Sequence, residues 1–147
     1  MARPVSAKDT DGGYLMPQFR VNVTIQQKGA LFNTAASKAA AARMVTNINE
    51  ALAKEGVNRV KHRLGQVLQN PTGYLESKIQ TVKGSTYRGV SDGGVVYGGW
   101  IEGVDSRNKT TRFKGYRTFR TVQQTLARDK EQIAQPFVNK FVSEMNR

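Results

Sequence analysis

The stretch that decides the fold runs from residue 34 to residue 69: TAASKAAAARMVTNINEALAKEGVNRVKHRLGQVLQ. Its first part is rich in alanine, the strongest helix former, and Thr34 is a suitable N-cap. Apolar residues then recur mostly at steps of three and four, as on one face of a helix; they are Val45, Ile48, Leu52, Val57, Val60, Leu64 and Val67. Asn70-Pro71 ends the pattern, because proline disfavours helical geometry in the residue before it. The sequence therefore predicts one long helix, in which Gly56 marks either a break or a close packing point.

Strand patterns lie on both sides of this helix. Residues 19–25 alternate between apolar and polar, which is typical of a half-buried strand. After the helix, three more strands are predicted at residues 74–82, 87–90 and 95–101. Residues 91–94, Ser-Asp-Gly-Gly, separate the last two, and glycine tolerates the positive φ of tight turns. These patterns predict an α+β fold, in which a small, mostly antiparallel sheet is packed by one long helix.

The two ends of the chain complete the predicted organisation. Residues 103–115 are interpreted as a loop and residues 116–134 as a second helix. Pro136 is expected to interrupt the helical segment there. A short closing helix is predicted from residue 137 to residue 145. At the other end, residues 1–18 have little apolar content and are interpreted as an extended arm. Residues 19–147 are then a single α+β domain.

The charge of the chain points to an anionic partner. There are 23 Lys and Arg residues against 11 Asp and Glu residues, so the net charge is +12. Nucleic acid or an acidic protein surface fits this balance, and so does complementary charge inside an assembly. Six basic residues lie between residues 107 and 120 without an acidic residue among them; they are Arg107, Lys109, Arg112, Lys114, Arg117 and Arg120. No apolar run approaches the ~20 residues that span a bilayer, so no membrane partner is expected.

The sequence offers no recognisable catalytic, cofactor or metal site. His62 is the only histidine and the chain has no cysteine, so a zinc site lacks ligands. Glu102 and Asp105 are close in sequence, but the basic residues beside them favour salt bridges within the chain or between subunits over acid–base catalysis. The glycines match no nucleotide-binding motif. We therefore expect that the protein is not an enzyme and carries no cofactor.

Aromatic residues lie among the basic residues of this segment, and two interpretations follow. Proteins that bind single-stranded nucleic acid stack bases on aromatic rings while cations meet the phosphates. Protein interfaces favour the same residue types, and several of these rings occupy core-like positions, so a protein interface is the preferred interpretation. The predicted docking surface consists of Trp100, Glu102, Asp105, Arg107, Arg112, Lys114, Tyr116 and Arg117.

Three motifs carry a resemblance to a known family. They are Pro71-Thr72-Gly73-Tyr74-Leu75, then Tyr97-Gly98-Gly99-Trp100-Ile101-Glu102-Gly103, and last Gln135-Pro136-Phe137. In this order after a long helix, they resemble the tail-completion or neck proteins of long-tailed bacteriophages, of the lambda Z type. The stretch SRNKTTRFKGYRTFR (residues 106–120) is similar to the branch found in actinobacterial phages. The resemblance covers roughly residues 45–140, and its first motif is one residue tighter than the commoner form because Thr72 follows Pro71 directly.

The resemblance implies a structural virion protein at the head–tail junction, present in the host cytoplasm during assembly. Such proteins form homo-oligomeric rings, usually six-fold, between the connector or stopper proteins of the head and the tail tube. They complete or terminate the tail, join it to the head and leave a channel for DNA. The basic loop then faces either the packaged DNA, in a sequence-independent contact, or acidic patches on the next ring. The alternative function is a free, sequence-independent nucleic-acid-binding module.

Overall fold

Two long helices and a three-stranded sheet form the core of the structure, a computed structural model that describes residues 7–8, 15–29, 32–84 and 87–146. The helices are α1 (Ala35–Val67), α2 (Tyr74–Lys78), α3 (Gly98–Glu102), α4 (Arg107–Thr110) and α5 (Thr118–Met145). The strands are β1 (Ala7–Lys8), β2 (Leu15–Met16), β3 (Gln18–Val21), β4 (Gln80–Lys83) and β5 (Arg88–Ser91). The predicted α+β class and the small antiparallel sheet beside a long helix are confirmed.

Helix α1 has nearly the bounds that its sequence predicts. The Thr34 side chain accepts a hydrogen bond from the backbone N–H of Ser37 at 3.1 Å, as an N-cap does. The helix ends at Val67, shortly before Asn70-Pro71. Its apolar face packs along α5, which runs in the opposite direction. Arg59 of α1 pairs with Asp129 of α5. Phe32, just before α1, stacks on Phe141 near the other end of α5.

Gly56 is a close packing point, which was one of its two predicted roles. A Cβ atom at this position would lie 2.8 Å from Val90 Cγ2 and 3.1 Å from both Leu126 Cδ1 and Phe19 Cζ. These three side chains are almost fully buried and come from β5, α5 and β3. The absence of a side chain at Gly56 therefore lets α1 approach the sheet and the second long helix at one point.

The sheet has the order β3-β5-β4, and both pairs are antiparallel. Ser91 of β5 lies opposite Gln18 on one side and Gln80 on the other. The predicted strand at 19–25 is shorter than expected, because β3 ends at Val21 and residues 22–25 continue without a strand partner. There the backbone N–H of Val23 donates to Asn49 Oδ1 on α1 at 2.9 Å instead.

The prediction of a strand over residues 74–82 is wrong in its first half. Residues 74–78 form α2, and the strand β4 covers only 80–83. Gly73 turns the chain with a φ of 81°, and its carbonyl accepts a hydrogen bond from the backbone N–H of Ser77 at 2.9 Å. The buried apolar residues here are Leu75 and Ile79. They are four residues apart, a spacing that fits a helical turn as well as an alternating strand.

The prediction of a strand over residues 95–101 is also wrong. The chain turns at residues 95–97 and forms α3, in which the backbone N–H of Ile101 donates to Tyr97 O at 3.1 Å. Gly98 lies directly against the Asp92 carboxylate, and a Cβ atom there would overlap Asp92 Oδ2. The two glycines at 98 and 99 thus permit a tight turn into a helix rather than a bulge in a strand.

Helix α5 is continuous from Thr118 to Met145, so the predicted interruption at Pro136 is wrong. Proline inside a helix costs about 3 kcal/mol. Buried side chains on both sides of it, Ala134 and Phe141, hold the helix against α1 and its preceding segment. Because this packing outweighs the cost, the helix passes through the proline. The residues predicted as loop, 103–115, also contain the short helix α4.

Most of the predicted arm, residues 1–18, lies outside the described residues. Within it, the backbone of β1 pairs antiparallel with β2, with Ala7 opposite Met16. Among the described residues, no helix is both long enough and apolar enough to cross a membrane.

Candidate interaction surface

The basic loop, which we define as residues 103–117, leaves and returns to the fold at one point. Gly103 and Gly115 have φ values of 102° and 89°, and a Cβ atom on Gly115 would overlap Gly103 Cα. The chain then pairs with α3, since the backbone N–H of Tyr116 donates to Ile101 O at 2.7 Å. Only glycine accepts both the positive φ and the close approach of the two backbones. The two glycines therefore close the loop at its base.

Asn108 holds the loop together from inside. Its side chain is 3% exposed. Its amide nitrogen donates to Trp100 O and Phe113 O, both at 3.1 Å, and its amide oxygen accepts from the backbone N–H of Asp105 at 3.0 Å. One side chain thus satisfies three backbone groups, two in the loop and one on α3. Asn108 therefore links the two limbs of the loop to each other and to α3.

The aromatic residues of the segment pack on one another. The Trp100 and Phe113 rings are 5.0 Å apart, and Phe113 meets Tyr116 edge-to-face at 5.1 Å. The Arg107 guanidinium lies 5.1 Å from the centre of the Trp100 ring. Because Trp100 is in contact with both Phe113 and Arg107, its ring is occupied by neighbours within the chain. The arrangement therefore favours a preformed surface over a platform on which bases stack.

Glu102 has a structural position and must be removed from the predicted docking surface. It is 7% exposed. Its two carboxylate oxygens accept hydrogen bonds from the backbone N–H groups of Phe119, at 3.0 Å, and Arg120, at 3.1 Å. Burial raises the pKa of Glu102, although these hydrogen bonds and the nearby Arg63 lower it in part. Glu102 therefore supplies the N-terminal cap of α5, where a negative charge is favourable.

The remaining seven predicted docking residues belong to the basic loop or line it. Asp105 forms a salt bridge with Arg107 at 3.2 Å, and this contact lowers the pKa of Asp105. Lys114 donates through Nζ to the backbone oxygen of Asn108 at 2.8 Å. Arg112 and Arg117 are exposed, as are Lys109 and Arg120. Within the described residues, none of these last four cations forms a salt bridge.

Sequence reasoning missed two buried polar residues that shape this end of the molecule. Asn108 gives no signal beyond its place in a basic segment. Asp92 lies in the predicted Ser-Asp-Gly-Gly turn, where its Oδ1 accepts from the backbone N–H of Gly94 at 2.9 Å. It is fully buried, and burial raises its pKa to about 6. A turn motif predicts the hydrogen bond of such an aspartate, but its burial depends on α3 packing over it.

His62 is exposed on α1, beside Gln66, as its predicted place on a helix face requires. Within the part of the chain that the structure describes, no group of three or more potential metal ligands occurs. Comparison of the chain with protein-family models, curated proteins and solved structures finds no match. The geometry of the basic loop and the motif resemblance are therefore the features from which a function can be inferred.

Proposed function

We propose that this protein is a non-enzymatic, structural subunit of a phage neck, which forms a ring at the head–tail junction. In this proposal the ring completes the tail, joins it to the head and leaves a channel for DNA. The observation that carries the proposal is the basic loop: a segment that Gly103 and Gly115 close at its base, that Asn108 bonds internally, and that presents exposed cations. The motif resemblance supplies the biological setting.

The order of the basic loop supports a docking role. Association costs free energy for every flexible segment that it immobilises. Here the glycines at its base and the buried Asn108 fix the loop before any partner arrives. Its exposed cations would then meet carboxylates on the neighbouring connector, stopper or tail-tube protein. Complementary charge of this kind speeds encounter and selects the orientation of docking.

Complementation of a phage that lacks the gene tests the docking surface. The variant Arg112→Ala/Arg117→Ala removes two loop charges, and both side chains are exposed. The control Lys38→Ala/Arg43→Ala removes two equally exposed charges from the first turns of α1. We expect the loop variant to leave filled heads and tails unjoined, and the control to restore infectious particles. Equal titres from both variants would exclude the basic loop as the docking surface.

The four exposed cations outside salt bridges also favour a second candidate, sequence-independent binding to nucleic acid. If Lys109, Arg112, Arg117 and Arg120 each neutralise one phosphate of duplex DNA, the logarithm of the affinity falls with log salt at a slope of about −3.6. Between 50 and 200 mM salt this is a loss of about 150-fold. Titration of the isolated protein with an arbitrary duplex measures the slope, and binding that is absent at low salt excludes this candidate.

A further inference from the structure

Helix α3 rests on Asp92, a carboxylic acid that is 0% exposed. Its Oδ1 atom accepts from the backbone N–H of Gly94 at 2.9 Å, while its Oδ2 atom is buried and has no hydrogen-bond partner within the described residues. A Cβ atom on Gly98, the first residue of α3, would overlap Oδ2, so the carboxylate lies directly against the backbone of this helix. A charge on the unpaired oxygen is unfavourable here, because a buried ionised group needs partners or water.

Neighbouring side chains do not offset such a charge. The ionisable residues on the strands and helices around Asp92, and just before α3, are Arg20, Glu76, Lys78, Lys83, Arg88, Tyr97 and Glu102. Within the described residues, none of them forms a hydrogen bond or a salt bridge with Asp92. Burial therefore raises the pKa of Asp92 to about 6, although the hydrogen bond from Gly94 lowers it in part.

Helix α3 is the cover of Asp92 that is most easily displaced. Strand β3, which adjoins it on the other side, pairs with β5 over four residues and buries Phe19 and Val21 in the core. Helix α3 has only five residues, and those that it buries are Gly98, Gly99 and Glu102, none of which is a large apolar residue. A helix this short is not stable in water without packing. Displacement of α3 therefore brings water to the carboxylate and also ends the helix.

Helix α3 is also the seat of the basic loop. Its Ile101 O accepts from the backbone N–H of Tyr116 at 2.7 Å, and its Trp100 O accepts from the Asn108 side chain at 3.1 Å. Gly99 O accepts from the first backbone N–H groups of the loop. The position of the loop therefore depends on α3 being in place.

We propose that Asp92 is a pH-sensitive latch on α3: the neutral acid holds α3 in place, and ionisation releases α3 together with the seat of the basic loop. Binding costs more free energy when a flexible segment must first be ordered. A partner of the basic loop should therefore bind more weakly as the pH rises from 4 to 7. The inference goes beyond the proposed function, because it concerns the isolated chain and applies equally to a protein partner and to nucleic acid.

The size of the effect follows from the pKa of Asp92 in the two states. This pKa is about 6 when α3 is in place, and we take the ordinary value of 3.8 for the released state. A pKa raised in the closed state stabilises that state at low pH, and the stabilisation is lost as the pH rises through 6. The equilibrium constant for release should then rise about 50-fold between pH 4 and pH 7 and change little above pH 7.

Amide hydrogen exchange of the full chain, followed by NMR, tests the latch. After correction for intrinsic rates, we expect the protection of the Ile101 and Tyr116 amides to fall about 50-fold from pH 4 to pH 7. Because this opening is local, low urea concentrations should not change the exchange of these amides, whereas they should speed exchange at Leu52 in the core of α1. Asp92→Asn keeps the shape of the side chain without its charge and should abolish the fall. Histidine side chains titrate in this pH range, so the control His62→Gln removes the only one and should keep the fall.

A second variant tests the contact from the side of α3. Gly98→Ala places a methyl group where Oδ2 lies, and Gly98, unlike Gly93, has no positive φ that an alanine would strain. Its Ile101 and Tyr116 amides should be as weakly protected at pH 4 as at pH 7. The latch would be refuted by constant protection in the wild type, by a fall that persists in Asp92→Asn, by Gly98→Ala behaving like the wild type, or by equal urea dependence at Ile101 and Leu52. Each of these results would leave the neck function standing, since loss of the gene in a phage tests it separately.

Discussion

Replacing Gly56 by alanine tests how tightly α1 packs on the sheet, and Gly65 supplies a control in the same helix. A Cβ atom at Gly56 would lie 2.8 Å from Cγ2 of Val90, a fully buried, β-branched side chain whose χ1 angle is restricted. At Gly65, which is exposed, a Cβ atom would meet nothing within 4 Å. Each substitution gains about 1 kcal/mol of helix propensity. Only Gly56→Ala also overpacks the core, which lowers the free energy of unfolding by about 1–3 kcal/mol.

We therefore expect Gly65→Ala to raise the free energy of unfolding by about 1 kcal/mol, which corresponds to about 3 °C in Tm for a chain of this size. Gly56→Ala should change the free energy of unfolding by between about 0 and −2 kcal/mol, the balance of the same two terms. Urea denaturation at neutral pH, followed by circular dichroism, measures both variants. If Gly56→Ala were as stabilising as Gly65→Ala, the packing described for this helix crossing would be incorrect.

Three further predictions concern the end of the molecule that carries the basic loop. Because the pKa of Asp92 is raised from 3.8 to about 6 in the folded state, the free energy of unfolding should fall by about 2 kcal/mol between pH 4 and pH 7. Asp92→Asn should remove this contribution in urea titrations, and an unchanged profile would contradict the prediction. Glu102→Ala should lower the free energy of unfolding by about 1–2 kcal/mol and speed amide hydrogen exchange at Phe119 and Arg120, whose N–H groups Glu102 caps. Unchanged exchange at these two amides would refute the cap. Asn108→Ala should speed tryptic cleavage within residues 107–117 by about 5- to 150-fold, as expected for the loss of about 1–3 kcal/mol of local hydrogen bonding. Wild-type cleavage kinetics would show that other contacts hold the loop.

The sequence predicts elements that depend on long patterns and misses those that depend on single contacts. Helix α1 was predicted nearly in full, because its apolar stripe, its N-cap and its terminating proline agree with one another. Helix α2 was predicted as a strand, because Leu75 and Ile79 fit both periods. Pro136 was predicted as a break, because the stacking of Phe141 on Phe32 outside the helix is invisible in the sequence.

The candidate site was predicted as a set of residues but not as an arrangement. The structure places seven of the eight predicted docking residues in or along the basic loop, and their role in docking stays a prediction. Glu102 was misassigned, since a carboxylate beside arginines predicts a salt bridge, whereas its burial brings it to the N-terminus of α5. Asn108 was missed, because its role depends on which backbone groups of the folded chain lie within reach of its side chain.

Electron microscopy of lysates from a phage that lacks this gene is the most direct test of the central claim. The proposed neck function predicts DNA-filled heads and finished tails that lie apart, joined again when the wild-type gene is supplied. Tail length then assigns the layer, because tails of abnormal length indicate a terminator and tails of normal length a joining protein. Intact, infectious particles in the absence of the gene would contradict the account.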